Sequence, residues 1–227
     1  MSGLVLPAPP LPSVPVHGTD DRFAVRRIFC VGRNYADHAR EMGHDPDREP
    51  PFFFTKPADA LLTGDADLPY PPATQDLHFE GELVVALGAG GRDVAAAEAG
   101  ALIWGHAVGN DLTRRDLQAE AKRMGRPWDM AKGFDGSAVC GPIHRADGPL
   151  TQGRLLVEVN GTPRQDSDLS QMIWPVADII AHLSRLVRLE AGDLIYTGTP
   201  AGVGALQRGD SVTVRIEGLP PIRTRIT

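Results

Sequence analysis

Only two cysteines, Cys30 and Cys140, occur in 227 residues. That is too few for a disulfide framework and suits a reducing compartment. No apolar run approaches the roughly 20 residues that a membrane-crossing helix needs. Basic clusters are missing as well. Lys and Arg number 23 against 29 Asp and Glu, a formal net charge of -6, which argues against a nucleic-acid partner but leaves room for a local cationic site. Met1-Ser2-Gly3-Leu4 has no basic segment before its apolar residues, so no secretion signal is expected. These absences point to a soluble, cytoplasmic protein with neither nucleic acid nor membrane as partner. No internal repeat or low-complexity segment stands out.

What the chain does have is glycine and proline, 25 and 20 residues, which favour turns and short strands over a helical bundle. Five prolines between Pro7 and Pro15 suit an extended arm. The arm is assigned to residues 1–24, and one catalytic domain to 25–227. Strand-like runs recur at Ile28 to Val31, Phe52 to Thr55, Leu83 to Leu87, Leu155 to Val159, Leu194 to Thr197 and Val212 to Ile216. Asn160-Gly161 is a hairpin turn signal. Helical patterns are fewer: Asn34 to Met42, Thr113 to Met124 with Thr113 as its cap, and Pro175 to Leu189. The reading is an α+β protein, β-rich, with mixed or antiparallel sheets and a few short helices.

The densest chemistry lies in His78-Phe79-Glu80-Gly81-Glu82, just before the buried run. Side chains alternate along a strand, so Glu80 and Glu82 share a side. Partly buried like charges need a cation. Asp111, after the apolar segment Ile103 to Val108, is the best third acid. Three carboxylates without a Cys or His pair suit Mg²⁺, Mn²⁺ or Ca²⁺ rather than Zn²⁺. An exposed edge strand carrying Glu-x-Glu fits the same residues, and spacing alone leaves both open. Lys56 and Lys132 are embedded among apolar residues, either as site cations or as lysines reaching for water. Arg115 and Gln118, three apart, share a helix face, as do His38 and Glu41. A carboxylate beside an imidazole raises its basicity. The flanking Gly32 and Gly43 would allow that segment to act as a lid. Thr197-Gly198-Thr199-Pro200 is a Gly-rich turn able to offer backbone N–H groups to a carboxylate.

Taken together, these motifs resemble the fumarylacetoacetate hydrolase family. Val31-Gly32-Arg33-Asn34-Tyr35-Ala36-Asp37-His38 with Glu41-Met42, then Phe54-Thr55-Lys56-Pro57, His78 to Leu83, Asp111 to Gln118, Gly125-Arg126-Pro127-Trp128 leading to Ala131-Lys132, and Thr197 to Gly204 follow one another in the family's order. The resemblance implies a β-rich roll of mixed sheets, usually homodimeric. It implies Mg²⁺ or Mn²⁺ held by Glu80, Glu82 and Asp111, with Lys132 near the metal and Arg33, Lys56, Arg115, Gln118 and Thr199 toward the substrate. His38 and Glu41 match a dyad that activates water. Gly81 departs from the larger residue common between the two glutamates, and altered packing is expected there. The implied activity is hydrolysis of a carbon–carbon bond in a small anionic 2,4-dioxo acid. Asp111 to Asp135 and Met172 to Val176 favour fumarylpyruvate, and Arg33, Arg40 and Arg126 are unranked partners for its distal carboxylate. Oxaloacetate decarboxylation or a related isomerisation is the competing activity, and ligand binding without catalysis is a further one.

Overall fold

The computed structural model describes residues 5–41 and 50–227, except for the side chains of 39–41. In chain order its first half comprises β1 (Ser13–Pro15), β2 (Arg22–Ala24), β3 (Arg27–Gly32), α1 (Ala36–Glu41), β4 (Phe52–Lys56), β5 (Leu61–Thr63), β6 (Ala66–Leu68), β7 (Leu77–Phe79), β8 (Gly81–Leu87) and β9 (Ile103–Asp111). The second half comprises β10 (Thr113–Arg114), α2 (Arg115–Met124), α3 (Asp129–Lys132), β11 (Ala138–Cys140), β12 (His144–Arg145), β13 (Arg154–Val159), β14 (Thr162–Asp168), α4 (Val176–Leu186), β15 (Asp193–Tyr196), β16 (Gly204–Leu206), β17 (Ser211–Ile216) and β18 (Ile222–Ile226).

The large mixed sheet runs β4-β3-β15-β8-β9-β11-β5, with β12 also on β9. A five-stranded sheet runs β14-β13-β17-β18-β6, and a small one runs β10-β7-β16. All seven residues of β8 are buried, which explains its unbroken apolar run: the strand is covered on both faces. Leu83, Val85 and Leu87 join Val157, Val214 and α4 in one core cluster, while Val84 and Ala86 join Ile28, Cys30 and Tyr196 in another. Each such fully buried Val or Leu contributes about 1.5–3 kcal/mol.

The proline-rich segment packs on the body through the β1–β2 hairpin. Val14 is fully buried, and Ile143 N–H donates to Pro15 O at 2.8 Å. The predicted strands all form. Asn160-Gly161 turns β13 into β14 with both residues at positive φ. Three helix boundaries need correction. Thr113 is not a cap: it pairs with His78 in β10, its hydroxyl donates to Asp111 O at 3.1 Å, and the helix starts at Arg115. The helix expected from Asn34 starts at Ala36, because Asn34 is used to clamp Trp174, donating to Trp174 O and accepting from Trp174 N–H. The helix expected to reach Leu189 stops at Leu186, since Leu189 pairs with Gly91.

Candidate active site

The face of β8 that carries Val84 and Ala86 continues upstream to Glu82 and Glu80. Glu82 lies opposite Gly109 on β9, and Asp111 falls on the same face two residues further. Ligand oxygens of Glu80, Glu82 and Asp111 all lie within 4.8 Å of one another, and all three residues are buried. The exposed-edge reading of Glu-x-Glu is thereby removed. Glu80 itself is outside the regular strand, at the joint where the chain passes from the small sheet (β7) to the large one (β8).

Backbone hydrogen bonds fix that joint. Asp111 N–H donates to Glu80 O at 2.8 Å, and Glu80 N–H donates to Asn110 Oδ1 at 2.9 Å. Gly81 N–H donates to Gln165 Oε1 at 3.0 Å. A Cβ at Gly81 would lie 2.3 Å from Val157 Cγ2 and 3.0 Å from Val214 Cγ1. The residue between the two acids therefore faces the second sheet, away from the trio, as expected, and close approach of that sheet requires glycine. The Gly-rich turn does meet a carboxylate, the protein's own: Gly198 N–H donates to Glu82 Oε2 at 2.7 Å. Gly198 has φ +95, and a Cβ there would meet Asn34 Cβ at 2.8 Å. Thr199 Oγ1 donates to Gly81 O at 2.9 Å and accepts from Gln165 Nε2 at 2.7 Å.

Three cations meet the three acids. Lys132 Nζ donates to Glu80 Oε2 and Asp111 Oδ2, each at 2.8 Å. Arg115 Nη2 donates to Glu80 Oε1 at 2.5 Å, while its Nη1 donates to Gln118 Oε1 at 2.7 Å. Lys56 Nζ donates to Leu112 O at 3.1 Å and to Lys132 O, and lies 2.8 Å from Asp111 Oδ1. Both lysines are 2% exposed, so neither reaches for water. Burial works against ionisation of Glu80, but Lys132 and Arg115 overcome it and hold its carboxyl far below the usual range. Burial, then Asp111 and Glu80, push Glu82 well above that range. Burial opposes the Lys132 charge, yet Asp111 and Glu80 raise its pKa overall.

These residues fit a hard divalent ion. The donor set is all carboxylate oxygen. Asp111 Oδ1 is buried and, although Lys56 Nζ lies 2.8 Å away as an ion pair, accepts no hydrogen bond. Asp111 and Glu80 repel the charge of Glu82, and a cation placed among the three would relieve that repulsion.

Above the acids opens a cleft lined by Arg33, His38, Glu80, Glu82, Arg115, Gln118, Lys122, Lys132, Thr199 and the aromatic rings of Phe52, Phe54 and Trp128. His38 is 6% exposed and lies close enough to Glu80 for a proton on its ring to lower the Glu80 pKa. Lys56 and Asp111 are not on the cleft wall. Arg126 lines an adjoining space with Arg33 and Trp128. The side chains of Glu41 and Arg40, and the whole of Gly43, lie outside the described residues, and with them the His38–Glu41 pairing and the lid. Sequence reasoning missed Gln165, Asn110 and Lys122. Lys122 was discoverable, being four residues beyond Gln118 on the Arg115 face.

The sheets, the acid trio and the order of its motifs define a class. Residues 27–227 match the family described as fumarylacetoacetate (FAA) hydrolase C-terminal, and the chain belongs to that family. Among solved structures it is similar to fumarylpyruvate hydrolase from Pseudomonas aeruginosa in complex with Mn²⁺ and pyruvate, with 48% identity, 99% of each chain covered and a TM-score of 0.96. It is 45% identical to a fumarylpyruvate hydrolase of Ralstonia over 80% of this chain and 96% of that protein. It is 40% identical to an oxaloacetate tautomerase of Escherichia coli, over 86% and 90%.

Proposed function

We propose that the protein hydrolyses a carbon–carbon bond in a 2,4-dioxo acid, converting fumarylpyruvate and water to fumarate and pyruvate. The observation that carries this is the buried trio Glu80, Glu82 and Asp111 at the foot of a cationic, aromatic-walled cleft. Its support is a relative of 48% identity holding Mn²⁺ and pyruvate. Glu80, Glu82 and Asp111 would hold Mg²⁺ or Mn²⁺, which when bound supplies Lewis-acid stabilisation to the 2-oxo acid end of the substrate.

The chain's own residues do the rest. His38, on the cleft wall, takes a proton from water as the water oxygen bonds to the C4 carbonyl carbon. Glu41, one helical turn further on, is assigned to orient it. The C3–C4 bond breaks with its electron pair staying on C3, C4 becomes the new carboxyl group of fumarate, and C3 takes up a proton to become the methyl of pyruvate. Lys132, whose ammonium faces the acid trio, stabilises the negative charge that develops on the pyruvate half. Arg33, Arg115, Gln118 and Thr199 border the substrate, and Lys56 holds Asp111 from behind. The working unit on this reading is a homodimer, which sedimentation would test.

The deciding experiment incubates the Mg²⁺- or Mn²⁺-loaded protein with fumarylpyruvate, maleylpyruvate, acetylpyruvate and oxaloacetate in parallel. Fumarate and pyruvate in equal amounts are expected, and His38→Ala should lose most of that turnover. Relatives of 38–40% identity named for oxaloacetate tautomerisation make that activity the competing reading. Oxaloacetate tautomerisation with no cleavage of any dioxo acid would overturn the hydrolase proposal.

A further inference from the structure

Helix α2 presents Arg115, Gln118 and Lys122 to the cleft, at spacings of three and four that place them on one face. The first two are spent: Arg115 on Glu80, and Gln118 on Arg115. Lys122 is different. Among the described residues, no carboxylate lies within ion-pair distance of its ammonium. The side chain is exposed at the cleft rim, with its Nζ drawn over the Trp128 ring at 5.0 Å. That ring is itself braced edge-on by Phe52, at 5.3 Å and 87°. Partial desolvation, then Arg115 and Arg33, push the Lys122 pKa down. A lysine ammonium placed beside two guanidinium groups is repelled by them, and an anion arriving next to it relieves that repulsion.

We propose that Lys122 is the specificity-determining residue that binds the distal carboxylate of the substrate, so that the cleft prefers 2-oxo acids ending in a second carboxylate. This rests on the 2,4-dioxo acid reading above. The dimensions agree. Seven residues of helix separate Arg115 from Lys122, roughly 10 Å along the axis. An extended seven-carbon dioxo dicarboxylate spans roughly 8 Å between its terminal carbons, taking about 1.3 Å of advance per bond. One end placed at the acid trio, beside Arg115, therefore brings the other to Lys122. The flat walls of Phe52, Phe54 and Trp128 suit the planar conjugated segment between them. A dioxo acid that ends in a methyl group offers Lys122 nothing. Arg126, by comparison, is exposed and borders the adjoining space rather than this cleft.

The test compares wild type with Lys122→Met and Lys122→Arg, each loaded with Mn²⁺. Met keeps the helix and packs on Trp128 without charge. Calorimetry measures binding of 2-oxoheptanedioate and 2-oxoheptanoate, which share a chain length and differ only in the distal carboxylate. The wild-type preference for the diacid should fall about tenfold in Lys122→Met and survive in Lys122→Arg. In parallel, the ratio of kcat/KM for fumarylpyruvate over acetylpyruvate should fall by a similar factor, chiefly through KM. Equal weakening of both oxo acids, an unchanged preference, or no wild-type preference would overturn the proposal. Should wild type cleave neither dioxo acid, the hydrolase reading falls, while the binding comparison still decides the role of Lys122.

Discussion

Gly81 separates two acids, and its missing side chain lets β8 lie against Val157 of β13. Gly81→Ala should force one of the two strands aside. Overpacking of this kind costs about 1–3 kcal/mol, to be read from the urea midpoint. The double variant Gly81→Ala/Val157→Ala should lose less than the sum of the singles, because the second change removes the colliding methyl. Strict additivity would dissociate Gly81 from that contact. Lys56 invites a second change. Its ammonium holds Asp111, Leu112 O and Lys132 O while staying off the cleft wall. Lys56→Met leaves a buried carboxylate short of a cation and should destabilise the fold by about 3–5 kcal/mol, again measured by urea denaturation. An unshifted midpoint would contradict that role. The acids, the lysines and Arg115 could be found in the sequence because their charge is out of keeping with apolar surroundings. Gln165 could not. It is a neutral amide 84 residues from Gly81, acting only on backbone and Thr199, and no local pattern marks such a residue.

Strand β9 runs from Ile103 to Asp111, and its trajectory decides where the third acid sits. Such strands were legible because burial on both faces leaves a continuous apolar run. Helix starts were not, because Thr113 is drawn into a strand against His78 with its hydroxyl spent on Asp111 O, and Asn34 spends its amide on the distant Trp174. The same strand carries His106, 2% exposed, whose Nε2 accepts from Leu150 N–H at 3.3 Å and is therefore unprotonated. Burial, and then the charge of the cross-strand His144, lower its pKa to about 4 from 6.5. The unfolded chain thus takes up a proton at His106 below pH 6.5 that the folded one refuses until about pH 4. Stability contributed by the neutral ring is present above pH 6.5 and lost as pH falls through that window. Its size is on the order of 3 kcal/mol. His106→Gln, which keeps an acceptor for Leu150, should flatten the fall in the urea midpoint between pH 7 and pH 4.5. An identical slope in both proteins would remove His106 as its source.

Across the whole molecule the formal charge is -6, yet the site is locally balanced: Glu80, Glu82 and Asp111 stand against Lys56, Lys132 and Arg115. A divalent cation added to that set leaves it about two charges positive, and Lys122 adds another at the rim. A dianionic oxo acid cancels two of those three charges, so ion and substrate should each strengthen the other's binding, by the same factor whichever is added first. That architecture depends on three sheets converging, since Glu80 follows the end of one sheet's strand, Glu82 and Asp111 belong to the next, and Gln165 reaches over from the third. Mn²⁺ at 100 times its dissociation constant should stabilise the folded chain by about 2.7 kcal/mol. For a domain of this size that is roughly 5–10 °C in Tm, reversible with a chelator. Oxalate, a dianion, should raise Tm further only when Mn²⁺ is present. In Asp111→Asn the Mn²⁺ shift should shrink sharply, and the oxalate increment with it. An oxalate shift of equal size with and without the ion would show that the two bind independently, and the charge argument would fail.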